Sequence, residues 1–299
     1  MAEFPDFERE FEHLEAQLGR VNDEINRRSG RQLLPAIGVG LGLGAIVVVS
    51  MFVKVVFAVF VIVFIALAVF ELATALRDAG RRVPRVPLLV LAALIVAVSY
   101  WFGDWWQWLA FLGSAVLLAL WRLVELAVPR LAAGPRAVLA DIGAGVFVLG
   151  YVALLGSYTT LAFARPDGHF WVLAMLIVVV VIDIAAYAVG RSLGRHPMAP
   201  RVSPNKSWEG FAGAAVAALV SGCLVVWLLL GQPWWLGLPF GALFLLTGTV
   251  GDLAESIIKR DLGVKDMSSW LPGHGGILDR IDGVLLSAAP LYGLYLLAH

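Results

Sequence analysis

Apolar residues run through the chain in long blocks, separated by short polar or turn-prone segments. Nine blocks stand out, at about 33–53, 55–76, 86–102, 105–124, 137–163, 170–190, 208–230, 234–258 and 276–297. The separators carry residues that end helices, as in RDAGRRVPRVP, VPRLAAGPR, RPDG and GQPWW. A helix of roughly 20 apolar residues crosses a hydrocarbon core about 30 Å thick. Backbone in lipid has to satisfy its own hydrogen bonds, and blocks of this length suit helices better than the ~10-residue strands of a barrel. The pattern predicts an all-α polytopic integral membrane protein with about nine transmembrane helices.

The first 32 residues follow a different rule. Phe4, Phe7, Phe11, Leu14, Leu18, Val21 and Ile25 are spaced alternately by three and four, which predicts a polar segment folded as an amphipathic helix. Docking on lipid or on the protein's own membrane domain is the favoured reading, and a coiled-coil homodimer is the alternative. No early apolar core marks a cleavable signal peptide. The chain thus divides into a cytoplasmic helix, 1–32, and a membrane-embedded domain, 33–299.

Charge adds direction to this picture. With nine spans, the amino terminus and the loops after spans two, four, six and eight share one side. That side holds all the Lys and Arg except Lys54 and Arg165, 20 of 22. The positive-inside rule then puts the amino terminus in the cytoplasm and His299 outside, in the inner or plasma membrane of the cell. Trp and Tyr collect at the opposite ends, in YWFGDWWQW and PWW, as an interfacial belt does. Formal net charge is zero and gives no support to nucleic-acid binding; the lone Cys223 has no partner for an intrachain disulfide and is read as a packing residue.

Eight carboxylates interrupt the apolar blocks or edge them: Glu71, Glu125, Asp141, Asp183, Asp252, Glu255, Asp279 and Asp282. A charge in hydrocarbon costs at least ~2.5–3.5 kcal/mol, so each should meet a partner or a polar interior. Glu125 and Asp141 have Arg122 and Arg136 close in sequence and read as structural ion pairs. Glu71 has two equal readings, lining a cavity or pairing with Arg77. The others gather near two loops on the basic side. In DIAAYAVGRSLGRHPMAPRVSPNKSWEG, Asp183, Tyr187 and Gly190 share a helix face, and a basic loop with Ser203, Lys206 and Ser207 follows. Ser203 and Ser207 read as caps for a turn and for the next helix, and the same loop also suits a phosphate-bearing anion. In GDLAESIIKRDLGVKD, Asp252, Ser256 and Lys259 share a face, with Glu255 one turn from both ends. PGHGGILDRIDG then sets glycine N–H groups before a helix start, an anion site, with Asp279 and Asp282 three residues apart and Arg280 beside them. Paired carboxylates next to an anion pocket suit Mg²⁺ bridged to phosphate.

These residues carry a resemblance. SIIKRDLGVKDMSSWLPGHGGILDRID, 256–282, resembles the signature of the phosphatidate cytidylyltransferases, also called CDP-diacylglycerol synthases. GDLAES and SPNKSWEG are similar to further blocks of that family; Asn205 stands where the family more often has Lys. The resemblance implies a membrane-embedded cytidylyltransferase domain whose active site comes mainly from 183–283, facing the cytoplasm. It implies transfer of CMP from CTP to phosphatidic acid, a membrane lipid, giving CDP-diacylglycerol and pyrophosphate, with Mg²⁺ and room for a second cation. On that resemblance Asp252, Asp279, Asp282 and Asp183 are the expected cation ligands. Lys259, Arg260, Lys265 and Arg280 are expected at the phosphates. Ser203, Lys206, Ser256, Asp266 and Gly273, His274, Gly275 and Gly276 are expected to seat substrate. Another CTP-dependent lipid cytidylyltransferase or kinase is the nearest rival. A transporter is the distant one, because the carboxylates crowd one end of the bundle and no repeat is visible.

Overall fold

The structure, a computed structural model, describes residues 33–129, 133–268, 270 and 275–299. The expected amphipathic helix 1–32 and the expected substrate residues Gly273 and His274 lie outside them. The described apolar blocks form nine long helices: α1 Leu33–Met51, α2 Lys54–Asp78, α3 Arg85–Phe102, α4 Asp104–Glu125, α5 Pro135–Ala164, α6 Gly168–Leu193, α7 Trp208–Leu228, α8 Gly237–Asp261 and α9 Leu278–Ala298. Eight of them, α2 to α9, are long and apolar enough to cross a membrane. The protein is an all-α, multi-spanning helical bundle.

Breaks between helices follow local chemistry. Gly103 separates α3 from α4 by a single residue at φ 91°, a conformation that a side chain resists. Pro135 opens α5, where its missing N–H costs nothing. Ser207 caps α7 as expected, its Oγ accepting the Gly210 N–H at 3.1 Å. Ser203 does not cap a turn. It lies in β2 (Ser203–Ser207), which pairs antiparallel with β1 (Pro197–Ala199) in a small hairpin between α6 and α7. Three- and five-residue strands are too short to show an alternating pattern, so the segment reads as loop in sequence.

With no hydrophobic drive between helices in lipid, close approach relies on small residues. Gly210 lies against the backbone of Ala186, Gly222 and Gly241 let α7 and α8 touch, and Gly251 faces the Asp282 carbonyl. At Gly251 an added Cβ would stand 2.5 Å from that oxygen, so α8 and α9 meet backbone to backbone where both carry carboxylates. Elsewhere the core is aliphatic and aromatic, as where Phe57 of α2 stacks on Phe163 of α5 at 3.9 Å. The outer faces of the helices expose large apolar side chains, among them Val90, Val116, Val180, Trp227 and Val250, a surface that suits lipid contact and not water.

Candidate active site

The polar residues that the sequence singles out come from five elements and meet at one end of the bundle. Lys259, on the last turn of α8, is the centre of the arrangement. Its Nζ donates to Glu255 Oε2 at 2.7 Å and to Asp279 Oδ1 at 2.8 Å, so it ties α8 to the first turn of α9. Asp279 spends its other oxygen on the loop: Oδ2 accepts the N–H of Gly276 at 2.7 Å and of Met267 at 3.2 Å. Both oxygens of Asp279 are therefore engaged within the protein. The Gly276 N–H, expected to face an anion, finds its acceptor in Asp279 instead.

Glu71 takes neither role expected of it. From α2 it crosses to the start of α9, where Oε1 accepts the Ile277 N–H at 2.9 Å and Oε2 the Leu278 N–H at 2.8 Å. Ser268 Oγ donates to the same Oε1 at 2.5 Å. A carboxylate at a helix amino terminus satisfies open N–H groups and favours the local dipole. Glu71 thus acts as a cap supplied from 206 residues away, and it is 1% exposed. Arg77 instead donates to the Val83 carbonyl at 3.3 Å. Glu71→Gln leaves one oxygen where three donors converge and turns an amide N–H₂ toward one of them. An unsatisfied buried group costs about 1–3 kcal/mol. An apparent melting temperature lower by roughly 3–10 °C is expected, read from tryptophan fluorescence in detergent; an unchanged melt would remove Glu71 as the cap.

A second cluster sits beside Lys259. Asp252 and Glu255 of α8 and Asp282 of α9 each place a carboxylate oxygen within 4.8 Å of the others. Glu255 is 1% exposed, and its Oε1 has no hydrogen-bond partner among the described residues. Asp282 Oδ1 accepts the Gly283 N–H at 2.7 Å. Lys206 of β2 forms an ion pair with Asp252. Asp183 of α6 lies in electrostatic reach of Asp252, Lys206 and Arg280, and Asp282 in reach of Asp183. Among the described residues, five carboxylates here face three cationic side chains, Lys206, Lys259 and Arg280. When all are ionised, the excess is what one divalent cation neutralises. Hard cations take carboxylate oxygens, and a buried oxygen without a partner is an available ligand, so the residues fit such an ion.

The hairpin forms the rim. Glu209 Oε2 accepts the N–H groups of Arg195 at 3.1 Å and His196 at 3.2 Å, and its Oε1 meets His196 Nδ1 at 2.5 Å, so the hairpin's start is fixed to α7. Arg260 Nε donates to the Val202 carbonyl at 3.3 Å and ties the hairpin to α8. This binds Arg260, an expected phosphate ligand, to backbone. Ser203 and Lys206 ride on β2; Ser256 is buried in α8; Lys265 and Asp266 are exposed on the loop before Gly275. The remote carboxylates are structural, as expected: Arg122, 1% exposed, bonds Asp141 at 3.0 Å and Glu125 at 3.4 Å.

Sequence reasoning did not offer Glu255 as a candidate cation ligand, and passed over Glu209 altogether. Glu255 was one turn from Asp252 on the same helix, which is the signal that would have included it. Glu209 stands three positions after Lys206 at a helix start, the place for a carboxylate that reaches back to backbone N–H groups.

Comparison with known proteins places the chain in a family. The model of the cytidylyltransferase family matches residues 35–298. The phosphatidate cytidylyltransferase of Mycobacterium tuberculosis (strain ATCC 25618 / H37Rv) is 41% identical over 267 residues, 87% of this chain and 81% of its own length. That of Mycobacterium leprae is 38% identical over 278 residues, 90% of this chain and 89% of its own. That of Brucella suis is 42% identical over 205 residues, 66% of this chain and 73% of its own. Because the match takes in α2 to α9 whole, including every helix that supplies a carboxylate to the cluster, this chain belongs to the cytidylyltransferase family.

Proposed function

We propose that the protein transfers the cytidylyl group of CTP to phosphatidate, giving CDP-diacylglycerol and pyrophosphate for phospholipid synthesis. The observation that carries this reading is the convergence of Asp252, Glu255 and Asp282 beside Lys206, Lys259 and Arg280, in a chain 38–42% identical to proteins named for that reaction. An oxygen of the lipid phosphate forms a bond to the α-phosphorus of CTP. The bond between the α-phosphorus and its bridging oxygen to the β-phosphate breaks, and pyrophosphate leaves with the electron pair. No protein nucleophile is needed. The difficulty is electrostatic, because two polyanions have to approach each other.

Asp252, Glu255 and Asp282 would hold a magnesium ion, and Asp183 stands near enough in charge to serve a second cation. Bound there, the ion supplies neutralisation of phosphate charge at the attacking and leaving groups. Lys206 and Arg280 are the cationic side chains for the phosphates, with Lys265 on the adjacent loop. Lys259 and Asp279 are positioning residues in this reading: each is bonded within the protein and fixes where the trio stands. Ser203, Gly275 and Gly276 would line the approach for nucleotide.

The bundle's orientation belongs to the same proposal. Nine spans, α1 included, with the amino terminus inside put 20 of 22 Lys and Arg, and this end of α6 to α9, in the cytoplasm where CTP is. The acceptor then comes from the inner leaflet.

The test uses the full chain in detergent micelles with CTP labelled at either the α- or the γ-phosphate. With phosphatidate present, α-label is expected in the organic extract, γ-label in pyrophosphate, and neither with diacylglycerol or polyprenol in its place. Excess chelator is expected to stop the reaction. Transfer of γ-label to a lipid alcohol would make the protein a CTP-dependent lipid kinase and overturn the proposal.

A further inference from the structure

Within α5 the backbone leaves α-helical bonding over Leu149–Leu154, a six-residue π-helical stretch. A π turn inserts an extra residue into a helix and re-aims the side chains around it, and such turns recur at functional sites. The side chain here is Tyr151. Gly156 further along α5 packs against Leu285 of α9, 3.2 Å from its Cδ2 to an added Cβ. α5 and α9 run the same way in an alternating bundle. At about 1.5 Å per residue, Tyr151 therefore lies level with the opening turns of α9, at the depth of Asp279 and Asp282.

Three further observations converge on it. The ring stacks on Phe147 at 5.5 Å and an interplanar angle of 5°, which fixes its plane. The hydroxyl oxygen is buried and has no hydrogen-bond partner among the described residues. The carboxylates in electrostatic reach of that hydroxyl are Asp282, Glu255 and Asp252, the same three that form the candidate cation site. One of the three, Glu255, has an orphan of the opposite kind: a buried acceptor, Oε1, without a donor among the described residues. Buried polar atoms in folded proteins are nearly always paired, directly or through water. A donor and an acceptor left open beside one site mark a link that a bridging water completes.

We propose that Tyr151 is a positioning residue of the cation site, its hydroxyl donating through a bridging water to Glu255 Oε1 and so fixing that carboxylate against the ion. The proposal rests on the reading of Asp252, Glu255 and Asp282 as cation ligands. A phenol suits the task because it is neutral at cellular pH and orders a carboxylate without changing the charge of the site. Donors that orient metal-ligating groups typically govern affinity by 10–100-fold.

Binding of Mn²⁺ to the purified full chain, without nucleotide, tests this directly, with free ion read from its electron paramagnetic resonance signal. Tyr151→Phe removes one oxygen and keeps the stack on Phe147, so the metal-free melting temperature is expected to match the wild type. Mn²⁺ affinity is expected to fall about 10–100-fold. In a Glu255→Gln background, whose residual affinity comes from Asp252 and Asp282, Tyr151→Phe is expected to change nothing further. Equal Mn²⁺ affinity in wild type and Tyr151→Phe overturns the proposal and leaves the cation site standing, whatever happens to the melt. An equal loss with and without Glu255 also overturns it, because Tyr151 would then act elsewhere. A wild-type chain that binds no Mn²⁺ removes the cation site itself, and this proposal with it.

Discussion

Asp282→Asn is expected to reduce cytidylyl transfer by at least about a thousandfold, roughly 4 kcal/mol in the barrier, while the protein purifies and melts like the wild type. The two halves of this expectation come from different atoms. Asp282 Oδ1 accepts the Gly283 N–H at 2.7 Å, and an Asn carbonyl oxygen does the same in the same place. What is lost is one negative charge from a cluster where carboxylates outnumber cationic side chains. That loss relieves repulsion in the empty site and removes a ligand from a loaded one. Activity above about a tenth of wild type at saturating Mg²⁺ would take Asp282 out of the site. Asp279→Asn is a different experiment, although the two residues look equivalent in sequence. Asp279 accepts from Lys259 with one oxygen and from two backbone N–H groups with the other, so its amide would turn a donor toward donors. Loss of activity there should come with loss of stability.

This contrast between Asp279 and Asp282 shows where a sequence stops being legible. Eight of the nine expected spans were readable almost to the residue: 105–124 became Asp104–Glu125, and 137–163 became Pro135–Ala164. Their length is set by the thickness of lipid, and Gly and Pro at their ends have only a few compatible conformations. The set of polar residues was readable too, since each carboxylate in an apolar block needs a reason to be there. Which of them meet was not. Helical periodicity ranks residues on one helix, so Asp252, Glu255 and Lys259 could be put on related faces, but the facing residue of α9 depends on how closely Gly251 lets the two backbones approach. Glu71 shows the same limit over a longer distance. A carboxylate six positions before Arg77 suggests a local pair, whereas its partners are the first N–H groups of a helix at the far end of the sequence. The π turn that presents Tyr151 has no residue signature at all.

Lys259→Met is the second large effect, and the structure changes its expected form. On the family resemblance Lys259 is expected to be a phosphate ligand, and its loss should weaken substrate binding before stability. In the folded protein Lys259 Nζ lies between Glu255 Oε2 at 2.7 Å and Asp279 Oδ1 at 2.8 Å, with the three side chains 14%, 1% and 4% exposed. Removing the cation leaves two carboxylates close together with little water to screen them. Breaking a buried ion pair from one side costs about 3–5 kcal/mol, far more than the pair itself is worth against an apolar replacement. An apparent melting temperature roughly 10 °C lower is therefore expected in detergent, with α9 and the loop before it loosened first. The charge argument makes a stricter demand through a second substitution. Glu255→Gln added to Lys259→Met removes one of the two stranded charges and should recover part of the lost stability, even though it deletes another polar contact. If Lys259→Met melts within about 2 °C of wild type and only CTP affinity falls, the lysine reaches substrate after all, and the triad it forms with Glu255 and Asp279 opens when the nucleotide arrives.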